Sequence, residues 1–197
     1  MQARSRATVA AIVQGTAEVL ASRGYAKTTT NHIVNAAGLS IGSFYQYFVD
    51  KDDVIAACAT TFAQDSLAFS SDHLVDSVRQ GGSAKGWICA LVERASEHES
   101  LLRVLFDEVP YTWSIPGVRD AMSGALEVLV ELGDFETESV EQRHDRSLVL
   151  FKSVVSVVLE IATNPDLQLR RSPVTDELAR MVDAYLSSPF PLCDASA

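Results

Sequence analysis

The stretch from Thr28 to Phe48, TTTNHIVNAAGLSIGSFYQYF, constrains this chain more than any other: a short apolar-patterned segment, a glycine, a second short segment and paired aromatics. Ile33, Val34 and Ala37 recur at the spacing that puts them on one face of a helix. Ala36, Ala37, Gly38 and Leu39 then supply small residues and one residue free to take positive φ, so two helices can cross closely. Ser40 is suited to cap the second helix, its hydroxyl accepting from the N–H of residue 42 or 43. Ile41 to Tyr47 are then left to present side chains outward. The pattern is that of a helix-turn-helix with an exposed second helix.

The flanks agree. Val9, Ile12, Val13, Thr16, Ala17 and Leu20 repeat at three-to-four spacing, which makes an amphipathic first helix able to brace the motif. Asp50, with Asp53 three positions on, resembles a capping box and starts the next helix at Lys51, running to near Ser70 or beyond. Gly81-Gly82 breaks the pattern, Ala84 to about Val109 resumes it, and Pro110 and Pro116 bracket an irregular link containing Trp113. Further helices are expected over Gly117 to Leu132, after an acidic loop over Asp145 to Thr163, and over Pro173 to Leu186, where Ser172-Pro173 offers a cap and an N1 proline. Val154 to Val158 is β-branched enough for a strand, yet the apolar pattern from Leu148 through Phe151, Val155, Val158 and Leu159 to Ala162 is too long for one. The expected class is all-α, with a three-helix helix-turn-helix domain at residues 1–50 and a larger helical domain at 51–197.

Residues 4 to about 55 resemble the DNA-binding domain of the TetR family of bacterial transcriptional regulators. The likeness rests on Val19-Leu20, Gly24-Tyr25, Thr29-Thr30, Ile33-Val34, Ala37-Gly38-Leu39-Ser40, Gly42, Phe44-Tyr45, Tyr47-Phe48 and Lys51-Asp52-Asp53-Val54. Val34 and Leu39 depart conservatively from the Ala and Val usual there. Ser43 stands where many members carry another small or polar residue, which leaves the base preference open. The resemblance implies DNA contacts from Tyr45 and Tyr47, with Phe44 and Phe48 buried behind them, and pairing of the last two helices with their symmetry mates in a four-helix bundle.

Charge is the first test of that reading. The net charge of -10 looks wrong for a DNA binder until it is divided along the chain. Residues 1–55 carry five basic against four acidic side chains, and the remainder eleven against twenty-two. The acidic part should therefore face away from the phosphates, and binding should be modest and salt-sensitive.

Short polar side chains suit a helix that must enter the major groove, and Ile41, Gly42, Ser43 and Gln46 meet that condition. Ile41 suits a thymine methyl; Gln46 can pair with adenine or point to solvent. With Ser40 at the cap, Thr28 and Thr30 near the start of the first motif helix and Lys51 opening the next, these residues and the two tyrosines make up the expected DNA contacts. Lys51 could equally be an ordinary solvated lysine.

Elsewhere the residues say less. Phe62, Trp87, Leu91, Phe106, Trp113, Met122 and Phe151 lie on or near separate helices and either line an apolar cavity for a small ligand or simply build the core. Phe151, Val155, Val158, Leu178, Met181 and Tyr185 are the expected dimer surface, since the last two helices are more apolar than one partner face requires. Cys58, Cys89 and Cys193 form no CxxC pattern; Cys58 and Cys89 read as core residues, with a redox-sensing thiol as the alternative. His32, His73, His98 and His144 lack metal spacing and read as solvated, so no metal or cofactor is expected. No GxSxG, phosphate loop or HExxH is present, and GGSAKG at Gly81 to Gly86 lacks P-loop spacing, so an enzyme is not expected. The N-terminus has no secretory pattern and no run is apolar enough for a membrane. The function expected is a cytoplasmic homodimeric regulator, a repressor that binds a double-stranded operator and is released by a small apolar or amphipathic effector. The alternative is an all-helical small-molecule-binding protein whose helix-turn-helix has lost DNA, which would be expected to lose Tyr45, Tyr47 and Lys51 as well.

Overall fold

The computed structural model describes residues 2–79, 83–132 and 139–187. Gly81-Gly82, the acidic loop and Cys193 lie outside the described residues. Helices form throughout, and no strand occurs among the described residues. They make two compact units, Met1–Ala68 with His98–Ser123, and Phe69–Glu97 with Gly124–Ala197.

The first unit begins with α1 (Gln2–Arg23), which buries Ile12, Thr16, Val19 and Leu20 and seats Val9 and Val13 against the core that holds Ile12 and Val19. Thr16 is tolerated inside because its hydroxyl donates to the Ile12 carbonyl at 2.8 Å. Gly24 ends the helix with φ +76°, a conformation that favours glycine. Then come α2 (Thr30–Ala36) and α3 (Ile41–Phe44), joined by a turn in which Gly38 takes φ +66°. Ile33, Val34, Phe44 and Phe48 are buried together with Ile12, Val19 and Val54. Gly15 permits the close approach of α1 and α2: a Cβ there would stand 2.9 Å from the Ala37 amide nitrogen. Sequence spacing had not singled out this glycine.

The next helix, α4, spans Lys51–Arg79. Asp50 Oδ1 accepts from the Asp53 amide at 2.9 Å, as a capping residue does, but Asp53 Oδ2 accepts from Val49, one residue earlier than a capping box places it. The apolar pattern expected to run from Ala84 to Val109 is divided. It forms α5 (Lys85–Glu97), a break at His98, α6 (Glu99–Arg103) and a π-helical turn, Val104–Glu108. A short 3₁₀ turn, Thr112–Ser114, leads into α7 (Pro116–Leu132). In the first unit, Leu101, Val104, Leu105, Val109, Ile115 and Val118 share a core with Leu20, Ile55, Cys58 and Ala59.

The second unit is built on α8 (Val140–Thr163), α9 (Pro165–Gln168) and α10 (Arg171–Ser187), with α5 packed on α8 and α10. α8 is helical through its valine run and starts at a Ser139–Gln142 capping box, earlier than expected. The proline device also moves: Asn164 caps α9 with Pro165 behind it, and Ser172-Pro173 falls inside the first turn of α10. The buried stripe of α8 is Ser147, Leu150, Val154, Val158 and Ile161, so Leu148 is exposed and Phe151, Val155 and Leu159 are only half-buried. No described helix is long and apolar enough to cross a membrane.

Candidate nucleic-acid interface

Local hydrogen bonds set the geometry of the motif. Thr29, not either neighbouring threonine, caps α2 by accepting from the His32 amide at 3.3 Å. The phosphate role expected of Thr28 does not fit its position: it is 2 % exposed and its hydroxyl donates to the Gly24 carbonyl at 2.7 Å, locking the turn before α2. Thr30 is half-buried at the first turn of α2. His32 is half-buried with Nδ1 3.1 Å from the Lys27 carbonyl, so that ring is not simply solvated.

Ser40 caps α3, accepting from the Ser43 amide at 3.1 Å, and its hydroxyl lies 2.9 Å from that of Ser43. Regular helix ends at Phe44, shorter than the expected run to Tyr47, and Tyr45–Tyr47 continue as a turn closed by the Phe48 amide donating to the Phe44 carbonyl. The core anchors this short element: Phe44 is fully buried, 5.7 Å from the Phe48 ring, and Tyr45 meets Phe44 edge-on at 5.3 Å. What remains outward is Ser40, Ile41 at 40 % exposure, Gly42, Tyr45 at 58 % and Gln46. Ser43 and Tyr47 are half-buried, Tyr47 packing against the core. The exposed face thus combines small or polar groups with a phenol and one branched apolar side chain, which is what a surface reading groove edges and phosphates needs.

Lys51 is more tightly held than an ordinary surface lysine. Its Nζ donates to the Tyr25 carbonyl at 3.2 Å and sits 4.0 Å from the centre of the Tyr25 ring. The Tyr25 hydroxyl donates to Asp52 Oδ1 at 3.1 Å, and the Tyr111 hydroxyl donates to the same oxygen at 2.9 Å. Burial first, and then donation to the Asp52 carboxylate, push both phenols above their ordinary range, so both remain protonated donors. Residues so far apart along the chain carry no periodic signal, and the sequence reading missed the cluster.

Residues 12–58 match the model of the bacterial regulatory proteins of the tetR family. The match spans the helix-turn-helix and parts of the helices on either side of it. Solved structures show the same fold along nearly the whole chain. A TetR transcriptional regulator from Rhodococcus sp. RHA1 is 13 % identical with a TM-score of 0.64, covering 94 % of this chain and 98 % of its own. The fatty acid degradation regulator FadR from Bacillus halodurans is 19 % identical with a TM-score of 0.61, covering 87 % and 94 %. The FadR from Bacillus subtilis, solved in complex with stearoyl-CoA, is 15 % identical with a TM-score of 0.60, covering 86 % and 96 %. No curated protein matches the sequence. The matched segment is of a kind found in bacterial regulatory proteins, and the solved structures share the fold.

The residues expected at a ligand cavity divide between the two units. Phe62, Phe106 and Met122 pack against the core of the first, and Trp113, 46 % exposed, lies with its ring 4.7 Å from that of Phe106. In the second, Trp87 is buried with Nε1 donating to the Ser70 hydroxyl at 3.1 Å, and Leu91 and Phe151 are half-buried. An open cleft of about 410 Å³ lies on α1 and α2, lined by Glu18, Val19, Ser22, Arg23, His32, Asn35 and Ala36. It is polar, unlike the apolar cavity expected. Of the expected dimer surface, Val158 and Leu178 are corrected: both are below 9 % exposure within a single chain, covered by their own unit. Met181 at 44 % exposure and the half-buried Phe151, Val155 and Tyr185 remain available, and Leu148 and Leu186 are exposed as well. Cys89, expected in the core, is exposed. Cys58 is buried, and burial pushes its thiol up to about 12, which makes it unreactive near neutral pH. His98, expected to be solvated, is half-buried with its ring 5.3 Å from that of Phe62.

Proposed function

We propose that this protein is a homodimeric transcriptional repressor that acts in the cytoplasm, binds a near-palindromic double-stranded operator through α3 and the turn after it, and is released by a small apolar or amphipathic ligand. Residues 1–50 act as the DNA-binding domain and 51–197 as the ligand-binding and dimerisation domain, a division by role. One observation carries the reading: Tyr45 and Ile41 stand exposed on a segment anchored by the buried Phe44 and Phe48, with both motif helices capped. A stable fold does not require an exposed phenol there, and a DNA-contacting surface can use one for a phosphate or a base edge.

Ser40, Ile41, Gly42, Ser43, Tyr45 and Gln46 face the groove, while Thr30, Tyr47 and Lys51 hold phosphates. Met181, Phe151, Val155 and Tyr185 face the second copy. An amphipathic effector is consistent with the apolar side chains around Phe106, and the Bacillus subtilis FadR, solved with stearoyl-CoA, makes long-chain acyl-CoA a reasonable first probe. A ligand releases DNA only through its preference for the arrangement that does not bind, a coupling of about 1–3 kcal/mol.

The test is recovery of genomic fragments by the full chain, followed by titration of the complex with fatty acids and acyl-CoA. Fragments sharing a near-palindrome with half-sites about 34–36 Å apart, or one more turn, support the reading. A fragment pool with no shared sequence contradicts it.

A further inference from the structure

We propose that Glu108 and Tyr111, more than fifty residues beyond the helix-turn-helix, are positioning residues for DNA binding: through Tyr25 and Asp52 they hold the Lys51 ammonium where it meets a phosphate. The inference rests on the DNA-binding reading above and concerns how one of its contacts is prepared.

Tyr25 is the hub. Its amide donates to Glu108 Oε2 at 2.8 Å, its carbonyl accepts from Lys51 Nζ at 3.2 Å, and its hydroxyl donates to Asp52 Oδ1 at 3.1 Å. Its ring lies beneath the ammonium at 4.0 Å and meets Tyr111 edge-on at 6.4 Å. Every polar atom of Tyr25 is therefore engaged, and two of its partners come from the segment that follows α6. Tyr111 closes the circuit by donating to Asp52 Oδ1 at 2.9 Å.

Lys51 gains from this arrangement. A lysine carries three donors on a flexible stem, and most of its freedom is lost when it docks on a phosphate. Here the carbonyl and ring of Tyr25 restrain the ammonium in advance, and one hydrogen bond to Tyr25 leaves two donors for the phosphate. The neighbouring carboxylate of Asp52 would oppose a polyanion, and two phenol hydroxyls hold it in place.

Glu108 reaches the turn because the backbone allows it. The extra residue per turn of a π-helix re-aims the side chains at its end, and Glu108 is the last residue of that turn. Gly24 completes the fit: a Cβ there would stand 2.7 Å from Glu108 Oε2, so a side chain at 24 would displace the carboxylate. Glu108 and Asp52 are themselves exposed, so their hydrogen bonds contribute little to stability, and a purely structural explanation predicts little effect of removing them.

The test uses the full chain and a mixed-sequence duplex, with affinity read by fluorescence anisotropy at two salt concentrations and the unfolding midpoint read alongside. Tyr111→Phe and Glu108→Ala should each weaken binding about threefold. Glu108→Gln keeps an acceptor for the Tyr25 amide and should restore most of the loss. In the Lys51→Ala background neither change should weaken binding further.

Loss of affinity in Lys51→Ala but none in Tyr111→Phe and Glu108→Ala overturns the inference and leaves the DNA-binding reading intact. Equal losses with and without Lys51 overturn it too, as does a binding loss that merely follows a fall in the unfolding midpoint. No effect of Lys51→Ala removes this lysine from the interface and the inference with it. No binding by the parent chain overturns the functional reading itself.

Discussion

The helix-turn-helix, built of two short capped helices, and the longer α8–α10 pair both pack on an apolar core, but they leave different surfaces behind. In the helix-turn-helix the apolar side chains are nearly all spent inward: Ile33, Val34, Phe44 and Phe48 are buried, and the outward face is mostly polar with Tyr45 and Ile41 standing out. In α8 and α10 a first stripe is spent inward, yet Leu148, Val149, Met181 and Leu186 remain outside. A surface meant for a hydrated, charged duplex is polar and held rigid by caps before the partner arrives. A surface meant for a second copy of the chain keeps apolar area in reserve, because its burial drives association.

The sharpest way to break this comparison is to place the same charge on the two sides of one helix pair. Val158→Arg puts a cation where the chain is already closed, so it should cost about 4 kcal/mol or more and abolish cooperative unfolding, read by denaturant titration followed by circular dichroism. Met181→Arg, on a side chain 44 % exposed, should keep the helical signal and instead give a monomer by light scattering, with operator binding lost. A stable dimer in Met181→Arg would move the interface off this face. The smallest effect belongs to the reader: Ser40→Ala removes the α3 cap and should cost about 1 kcal/mol in stability, with a proportionate loss in DNA affinity. An unchanged midpoint would show that the cap does not order the reader.

Spacing made the motif legible because its constraints are local. The α2 face, the positive φ at Gly38 and the Ser40 cap all act within four residues of chain, which is the range over which a sequence pattern carries geometry. The break at His98 left no such mark, since the apolar pattern runs across it without a glycine or proline. Ser172-Pro173 and Asn164-Pro165 offer the same chemistry, and only the path of the chain chose the second. The valine run of α8 was read correctly as helix, but its buried stripe is rotated from the one inferred, because a helix with two apolar faces does not declare which is inside. Position and chemistry suggest a phosphate contact for Thr28, whereas the nearby Gly24 carbonyl claims its hydroxyl. The Tyr25, Asp52, Glu108 and Tyr111 cluster joins residues up to 86 apart and could not be read from spacing at all.

The central claim is that the face bearing Tyr45 reads DNA sequence, and competition binding tests it most directly. The recovered genomic fragment and a scrambled duplex of equal length are titrated against the full chain and its Tyr45→Ala variant at one fixed salt concentration. The account predicts that the parent prefers the genomic fragment by about a thousandfold or more, and that Tyr45→Ala loses much of this preference while keeping its affinity for the scrambled duplex. Equal affinity of the parent for both duplexes, or an undiminished preference in Tyr45→Ala, would contradict it.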